Sequence, residues 1–166
     1  AALNRTLTVA MFYDYMNERI VCFFNTHFDH VGNIARTESA KFLREIVTEY
    51  SGKYPAVITG DFNFTEDSDG YDILTSDEFK VENPIDDFQY KPLVNSKYIS
   101  EKPHTGGDTT FNAFGKGTEL KSTIDFIFVN DKVKALSHQI ITDMPEGLFP
   151  SDHYPVFVEL LLKGSK

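Results

Sequence analysis

The chain has 166 residues, of which 41% are hydrophobic and 25% are charged, a composition typical of a soluble globular domain. Acidic residues outnumber basic ones by 25 to 16, so the formal net charge at pH 7 is −9. Proteins that hold duplex DNA by its phosphates usually present a basic surface, so this charge disfavours duplex DNA as a partner.

The sequence leaves the cellular compartment open. No apolar run approaches the ~20 residues that a transmembrane helix needs, so we expect a soluble protein without a transmembrane segment. The first residues contain no signal peptide, but a signal removed earlier leaves no trace, so a secreted or periplasmic location stays open. The only cysteine, Cys22, excludes an intrachain disulfide and a zinc site built on cysteines.

The first elements in chain order are two strands and a helix. Residues 5–13 roughly alternate polar and apolar side chains, and residues 20–24 form an apolar run, so both segments are predicted strands. The short polar connection between them favours an antiparallel pair. In residues 35–50, apolar side chains recur at spacings of three, four and seven, which predicts an amphipathic helix. A short buried strand is predicted at residues 56–59.

The rest of the chain is predicted to contain mainly connections and strands. A short helix is expected around residues 71–74, and residues 78–108 are expected to form long surface connections. Three further strands are predicted, at residues 124–129, 133–142 and 154–162. The alternation of strands and helices indicates an α/β fold with a mixed β-sheet and helices on one side. No repeat or linker divides the chain, so we expect a single domain over residues 1–166.

Four short polar segments stand at the ends of predicted strands, where sheets usually expose their active sites. Each segment alone has an ordinary explanation, since a histidine after a strand often caps a turn and Gly-Asp-Phe-Asn is a common turn sequence. Their combination in one order is a much stronger signal. The segments are Asn25-Thr26-His27, Gly60-Asp61-Phe62-Asn63, Ile124-Asp125-Phe126-Ile127 and Ser151-Asp152-His153-Tyr154-Pro155-Val156.

In this order the four segments resemble the endonuclease/exonuclease/phosphatase superfamily of DNase-like, metal-dependent phosphoesterases. Residues 24–32 and 110–114 are most similar to a branch of bacterial metal-dependent hydrolases, and the resemblance covers nearly the whole chain. It implies that the mixed sheet is half of a four-layer α/β/β/α sandwich. The activity it implies is hydrolysis of phosphate esters by attack of water.

The resemblance also implies catalytic roles for particular side chains. Asp61 would orient or deprotonate the attacking water, and Asn63 would hold the phosphoryl group in line. His153 would stabilise the charge of the transition state. Asp125 would accept a hydrogen bond from the other ring nitrogen of His153 and so fix its tautomer.

Metal and substrate contacts are implied in the same way. Asp152 would contribute to a site for Mg²⁺ or Mn²⁺, because these hard cations prefer oxygen ligands. His27 would make a further catalytic contact with the phosphate, and Asn112, together with Asn63 and His27, would bind the substrate.

One half of the family's fold has no counterpart in this sequence. The first half of such proteins carries an Asn and a Glu, the Glu being the principal metal ligand, in contexts that are not found here. We therefore expect the chain to be the C-terminal half of the domain, with the N-terminal half absent, and to be inactive alone. The apolar sheet face that remains is expected to be covered by the missing half or by a second copy.

The function expected of the intact protein is metal-dependent hydrolysis of phosphomono- or phosphodiesters. Acidity favours a phosphorylated small molecule or a lipid headgroup as substrate. Two alternatives stay open: a nuclease acting on DNA or RNA, and a non-catalytic interaction domain on a phosphoesterase scaffold. Outside the motifs, His104 and His138 are expected to be structural or surface residues, and Asp67, Asp69 and Asp72 to form a solvated acidic loop.

Overall fold

A computed structural model of the chain describes residues 4–81, 91–116 and 121–163. Within these ranges the chain forms seven strands and two α-helices. Residues 82–90, which belong to the long connection predicted at 78–108, lie outside the described residues. The elements are β1 (Leu7–Asp14), β2 (Arg19–His27), α1 (Asn33–Ser51), β3 (Ala56–Asp61), α2 (Asp69–Thr75), β4 (Val94–Asn95), β5 (Asp125–Val129), β6 (Val133–Ile140) and β7 (Val156–Leu162).

Five strands form one mixed sheet in the order β1-β2-β3-β5-β4. Strands β2 and β3 are parallel, and the other neighbouring pairs are antiparallel. The α/β fold class and the antiparallel pairing of β1 with β2 are therefore confirmed. Strands β6 and β7 do not join this sheet but pair with each other as a two-stranded antiparallel ribbon.

Both helices pack on one face of the five-stranded sheet. Alternate residues of the central strands, among them Phe24, Ile58 and Phe128, point into a buried cluster that also contains Leu43 and Val47 of α1. Helix α1 has the predicted amphipathic pattern and begins two residues before the predicted range and ends one residue after it. The helices thus lie on one side of the sheet, as predicted, and leave the opposite face to other elements.

The opposite face is covered only in part. The β6–β7 ribbon packs against it through a small cluster of Val57, Val129 and Val133, which Leu160 and Leu162 adjoin. Beyond the ribbon, towards β1, aromatic side chains of the sheet remain exposed. In the part of the chain that the structure describes, no helix is long and apolar enough to cross a membrane.

Candidate active site

Strand register places three of the predicted site residues in one row across the sheet. His27 at the end of β2 lies opposite Asp61 at the end of β3, and Asp61 lies opposite Asp125 at the start of β5. Their neighbours Phe62 and Phe126 belong to the helix-side core. Because side chains alternate along a strand, the row faces the side of the sheet away from the helices. His27 Nε2 lies 3.3 Å from Asp61 Oδ2.

The backbone around Asp61 is held by close contacts. A Cβ atom on Gly60 would lie 2.2 Å from the carbonyl oxygen of Thr26, so only glycine fits where β2 and β3 approach. After the strand, Asn63 adopts a left-handed conformation with φ of 51°, which Asn tolerates better than most residues. Its backbone N–H donates to Asp61 Oδ1 at 2.9 Å, and its side-chain amide donates to the Phe28 carbonyl at 3.0 Å.

His153 reaches the row from the loop that precedes β7. Its Nδ1 lies 2.8 Å from Asp125 Oδ2, and since a carboxylate accepts, Nδ1–H donates. The other ring nitrogen, Nε2, lies 3.8 Å from Asp61 Oδ2. The ring of Phe111 packs edge-on against the imidazole, with centroids 5.1 Å apart. The predicted contact between Asp125 and His153 is thus present, and Asp61 lies beside both.

Electrostatics change the proton affinity of two of these groups. Burial, followed by the negative charge of Asp125, raises the pKa of the Asp61 carboxyl above its usual range. Burial alone would lower the pKa of His153, but the hydrogen bond to Asp125 and the charges of Asp125, Asp61 and Asp152 outweigh it and raise that pKa. The site therefore contains a carboxylate with increased basicity beside an imidazole that favours its charged form.

The same three residues can hold a metal ion. Asp61, Asp125 and His153 each offer a ligand atom, and these atoms lie within 4.8 Å of one another. Two carboxylates suit Mg²⁺ or Mn²⁺, since Mg²⁺ commonly binds through one or two carboxylates and keeps its remaining oxygen ligands as water or substrate. The donor set therefore fits a hard divalent cation. Asp152 is not one of these three residues, so its predicted role as a metal ligand stays a prediction.

The remaining predicted residues lie around this cluster. Asp152 accepts the backbone N–H groups of Asn112 and Ala113 through its carbonyl oxygen, at 2.7 and 3.1 Å, which joins the two loops. The Asn112 side chain is buried, its oxygen accepts from the Phe114 N–H, and its amide nitrogen has no hydrogen-bond partner among the described residues. An open depression of about 410 Å³ is lined by Asp61, Asp125 and His153, among others.

Asn63 faces a different depression. It does not line the one that contains Asp61, Asp125 and His153, but lines a neighbouring depression between the N-terminal ends of α1 and α2. Asp61 and Asn63 are therefore joined by a hydrogen bond but line different depressions. Asn63 stands at the boundary between the two depressions.

Sequence reasoning did not assign a role to Thr110. This residue is fully buried, and its hydroxyl accepts the backbone N–H groups of Ile124 and Asp125 at 3.0 and 3.2 Å. It therefore fixes the start of β5 and the position of Asp125. The only signal in the sequence was its place in the segment 110–114, since a lone threonine in a loop carries no chemistry of its own.

Comparison with known proteins points in the same direction. Residues 5–153 match the model of the Endonuclease/Exonuclease/phosphatase family. Among proteins with curated descriptions, none gives a significant match to the chain.

Several solved structures are similar to the chain. An endonuclease/exonuclease/phosphatase from Bacteroides vulgatus is 38% identical, with a TM-score of 0.81, over 96% of this chain and 56% of that one. A family protein from Bacteroides thetaiotaomicron is 30% identical, with a TM-score of 0.79, over 96% and 56% of the two chains. A mannosyl-6-phosphatase from Bacteroides thetaiotaomicron VPI-5482 is also 30% identical, with a TM-score of 0.78, over 95% and 57%. The chain thus spans little more than half the length of these relatives.

Proposed function

Because the chain belongs to the endonuclease/exonuclease/phosphatase family, we propose that the intact protein is a hydrolase that cleaves phosphate esters with the help of a divalent metal ion. The observation that carries this proposal is the convergence of Asp61, Asp125 and His153 on one point. A phosphoester hydrolase needs a proton acceptor for water and positive charge for the phosphoryl oxygens, and these three side chains offer both.

Asp61 is the proposed proton acceptor. Its Oδ1 is occupied by the N–H of Asn63, which leaves Oδ2 directed towards His27 and His153. The raised pKa makes this carboxylate a stronger base than an exposed aspartate. A water molecule attacking phosphorus transfers a proton to Asp61 as its oxygen bonds to phosphorus. The bond from phosphorus to the ester oxygen breaks, and that oxygen takes a proton from solvent.

His153 is the proposed source of charge stabilisation. Since Nδ1–H is held by Asp125, Nε2 is the nitrogen that faces Asp61 and the site. A raised pKa favours the imidazolium, in which Nε2 also carries a proton and can donate to a phosphate oxygen. His27 lies on the other side of Asp61 and is proposed to make a second contact with the phosphoryl group.

Asp125 is the carboxylate of this group that would hold the metal ion, which leaves Asp61 to accept the proton. When bound, a divalent cation supplies positive charge that offsets the negative oxygens of the phosphoryl group. Asp152 and Asn112 remain proposed contributors to the metal and substrate contacts, because their loops are joined beside His153.

A phosphorylated small molecule is the proposed substrate class, with a lipid headgroup as the broader possibility. The net charge of −9 makes a long polyanion a poor ligand. One similar structure is that of a mannosyl-6-phosphatase, 30% identical over 95% of this chain, which supports a phosphomonoester of a small molecule.

The test is a substrate panel with the intact protein. Phosphate release from mannose 6-phosphate and phenyl phosphate, and nicking of plasmid DNA, would be measured with Mg²⁺, with Mn²⁺ and with EDTA. We expect metal-dependent phosphate release and little nicking. Nicking without phosphate release would instead identify a nuclease. No cleavage of any ester under any metal condition would refute the hydrolase and favour the non-catalytic interaction domain.

A further inference from the structure

A second depression of about 520 Å³ lies next to the reacting groups, between the first turn of α1 and the segment 63–70 that leads into α2. Its size is within the ~300–1,000 Å³ usual for small-molecule pockets. Asn63 lines this depression and also donates its backbone N–H to Asp61. Asn63 therefore connects this depression with the proposed proton acceptor.

The lining is polar, unlike that of most pockets for small apolar ligands. Helix α1 contributes Asn33, Arg36 and Thr37, and the segment before α2 contributes Thr65 and Asp67, with Asp69 as the first residue of that helix. Only Phe64 and Ile124, both largely buried, give the depression an apolar floor.

Several of these side chains are held in place by neighbours. The Arg36 guanidinium donates to the carbonyl of Asp29 at 2.9 Å and also to the side chain of Asn33. The Thr65 hydroxyl donates to Asp67, and this hydrogen bond lowers the pKa of the Asp67 carboxyl, which keeps it ionised. The groups that face the depression therefore have defined positions before any ligand enters.

The charges of the lining select between ligand classes. The ionisable side chains of the lining are two carboxylates, Asp67 and Asp69, one guanidinium, Arg36, and the imidazole of His30; no lysine lines the depression in the part of the chain that the structure describes. Carboxylates repel a second phosphate or a nucleic-acid backbone but accept hydrogen bonds from hydroxyl groups. The Asn33 amide and the Arg36 guanidinium carry N–H groups that can donate hydrogen bonds to hydroxyl oxygens.

We infer that this depression is a subsite for the leaving group, and that it takes an uncharged, polyhydroxylated group such as a sugar or another polyol. The inference rests on the proposed function, because the depression would bind the alcohol part of the phosphate ester that the proposed hydrolase cleaves. Hydroxyl groups would bind Asp67, Asp69 and Asn33, and the carbon skeleton would lie over Phe64 and Ile124.

The kinetic test compares an ester that has hydroxyls with one that has none. In the intact protein, Asp67→Asn and Asp69→Asn should each raise KM for mannose 6-phosphate about tenfold, as expected for loss of a hydrogen bond to a charged group. KM and kcat for phenyl phosphate should stay within twofold. Asp72→Asn is the matched control, because Asp72 is exposed on α2 and does not line the depression. Parallel changes for both esters, or no change for either, would overturn the subsite.

A binding test separates the subsite from the hydrolase proposal. Free mannose, which has no phosphate, would be titrated into the intact protein while the amide resonances of Asn33 and Gly70 are followed by NMR. Saturable shifts that Asp69→Asn weakens and Asp72→Asn does not would support the subsite even if no ester is cleaved. Absence of saturable shifts at these amides would refute it even if phosphate esters are hydrolysed.

Discussion

Asp61 and Asp125 are two carboxylates on adjacent strands, and the site depends on how their charges are accommodated. Asp125 is neutralised in part by His153, whose Nδ1 lies 2.8 Å away. Asp61 has no such close cation, since its Oδ2 is 3.3 Å from His27 and 3.8 Å from His153. Burial and the charge of Asp125 raise the pKa of Asp61. The two acids thus differ in role because they differ in partner.

Another histidine has a structural role. His138 on β6 is 4% exposed, and its Nδ1 lies 2.9 Å from Nδ1 of His104. His104 Nε2–H donates to the Gly107 carbonyl at 3.1 Å, so in the neutral ring Nδ1 of His104 accepts from His138. Burial, with smaller effects from the charges of His104 and Lys97, lowers the pKa of His138 to about 4. His138 is therefore neutral in the folded protein.

Protonation of His138 should destabilise the fold in acid. The unfolded chain binds a proton near pH 6.5, whereas the folded chain does so only near pH 4, so stability falls across that interval and levels off below it. The free energy of unfolding should fall by a total on the order of 3 kcal/mol between these two pH values. Urea unfolding at pH 7 and pH 4.5 should show a smaller loss for His138→Gln than for the wild type.

Ser137→Ala provides the control, because Ser137 is the neighbour of His138 on β6 and has no titratable side chain. It should keep the wild-type dependence on pH. An equal loss of stability in His138→Gln and the wild type would contradict the role given to His138.

At the scale of elements, the site depends on how closely β2 and β3 approach. Gly60 is where they meet, with Thr26 opposite it in the parallel register. Gly60→Ala would place Cβ 2.2 Å from the Thr26 carbonyl oxygen, so one strand must shift. We expect the free energy of unfolding to fall by about 2 kcal/mol or more. Because His27 and Asp61 are the last residues of these strands, catalysis should fall too.

Gly107→Ala is the matched control for Gly60→Ala. Its Cβ would meet Thr142 Cγ2 at 3.5 Å and the backbone nitrogen of Thr109 at 4.0 Å, both ordinary van der Waals contacts. Urea unfolding should therefore give a stability within ~1 kcal/mol of the wild type for Gly107→Ala. Equal stabilities for the two variants would show that the strands do not require glycine at position 60.

Local patterns in the sequence predicted most elements, because each pattern reports its own strand or helix. The helix at residues 35–50 and the strands around Cys22, Ile58 and Phe126 are all present. Pairing between distant segments was not predicted in the same way. The separate β6–β7 ribbon is one example, since an apolar run does not say which strand will be its neighbour.

The candidate site was likewise predictable in its residues but not in their spatial arrangement. Motif order identified His27, Asp61, Asp125 and His153 as candidates, but their arrangement in a row comes from register between strands that are distant in sequence. The second depression could not be predicted, because it is formed by segments that are distant in sequence, the first turn of α1 and residues 63–70. Taken singly in the sequence, Asp67 and Asp69 are solvated acids.

At the scale of the whole molecule, one face of the sheet exposes aromatic side chains. Phe12 is 56% exposed and Phe23 is 40% exposed, and their rings contact each other edge-on at 5.6 Å. Both lie on the side away from the helices, because Phe12 pairs with Val21, which shares a face of β2 with Phe23. The solved relatives have chains nearly twice as long, so further polypeptide is available there to cover a sheet face. We still expect this face to be covered by such a segment or by a second copy.

The 166-residue chain alone should therefore associate or bind apolar dyes. Sedimentation velocity and fluorescence of the dye ANS should show self-association or dye binding that Phe12→Thr combined with Phe23→Thr reduces severalfold. Tyr15→Thr is the control, because Tyr15 is 85% exposed but lies in the turn between β1 and β2. A monomeric wild-type chain that binds no dye would contradict the expectation that this face needs cover.

The most direct test of the account is the rate of phosphate release by Asp61→Asn in the intact protein. Asparagine keeps the size of the side chain but cannot accept a proton from water. We expect kcat to fall by about a hundredfold or more, with a similar loss for His153→Ala, while Asp143→Asn on an exposed loop keeps the wild-type rate. A kcat for Asp61→Asn within a few-fold of the wild type would contradict the assignment of this site as the catalytic centre.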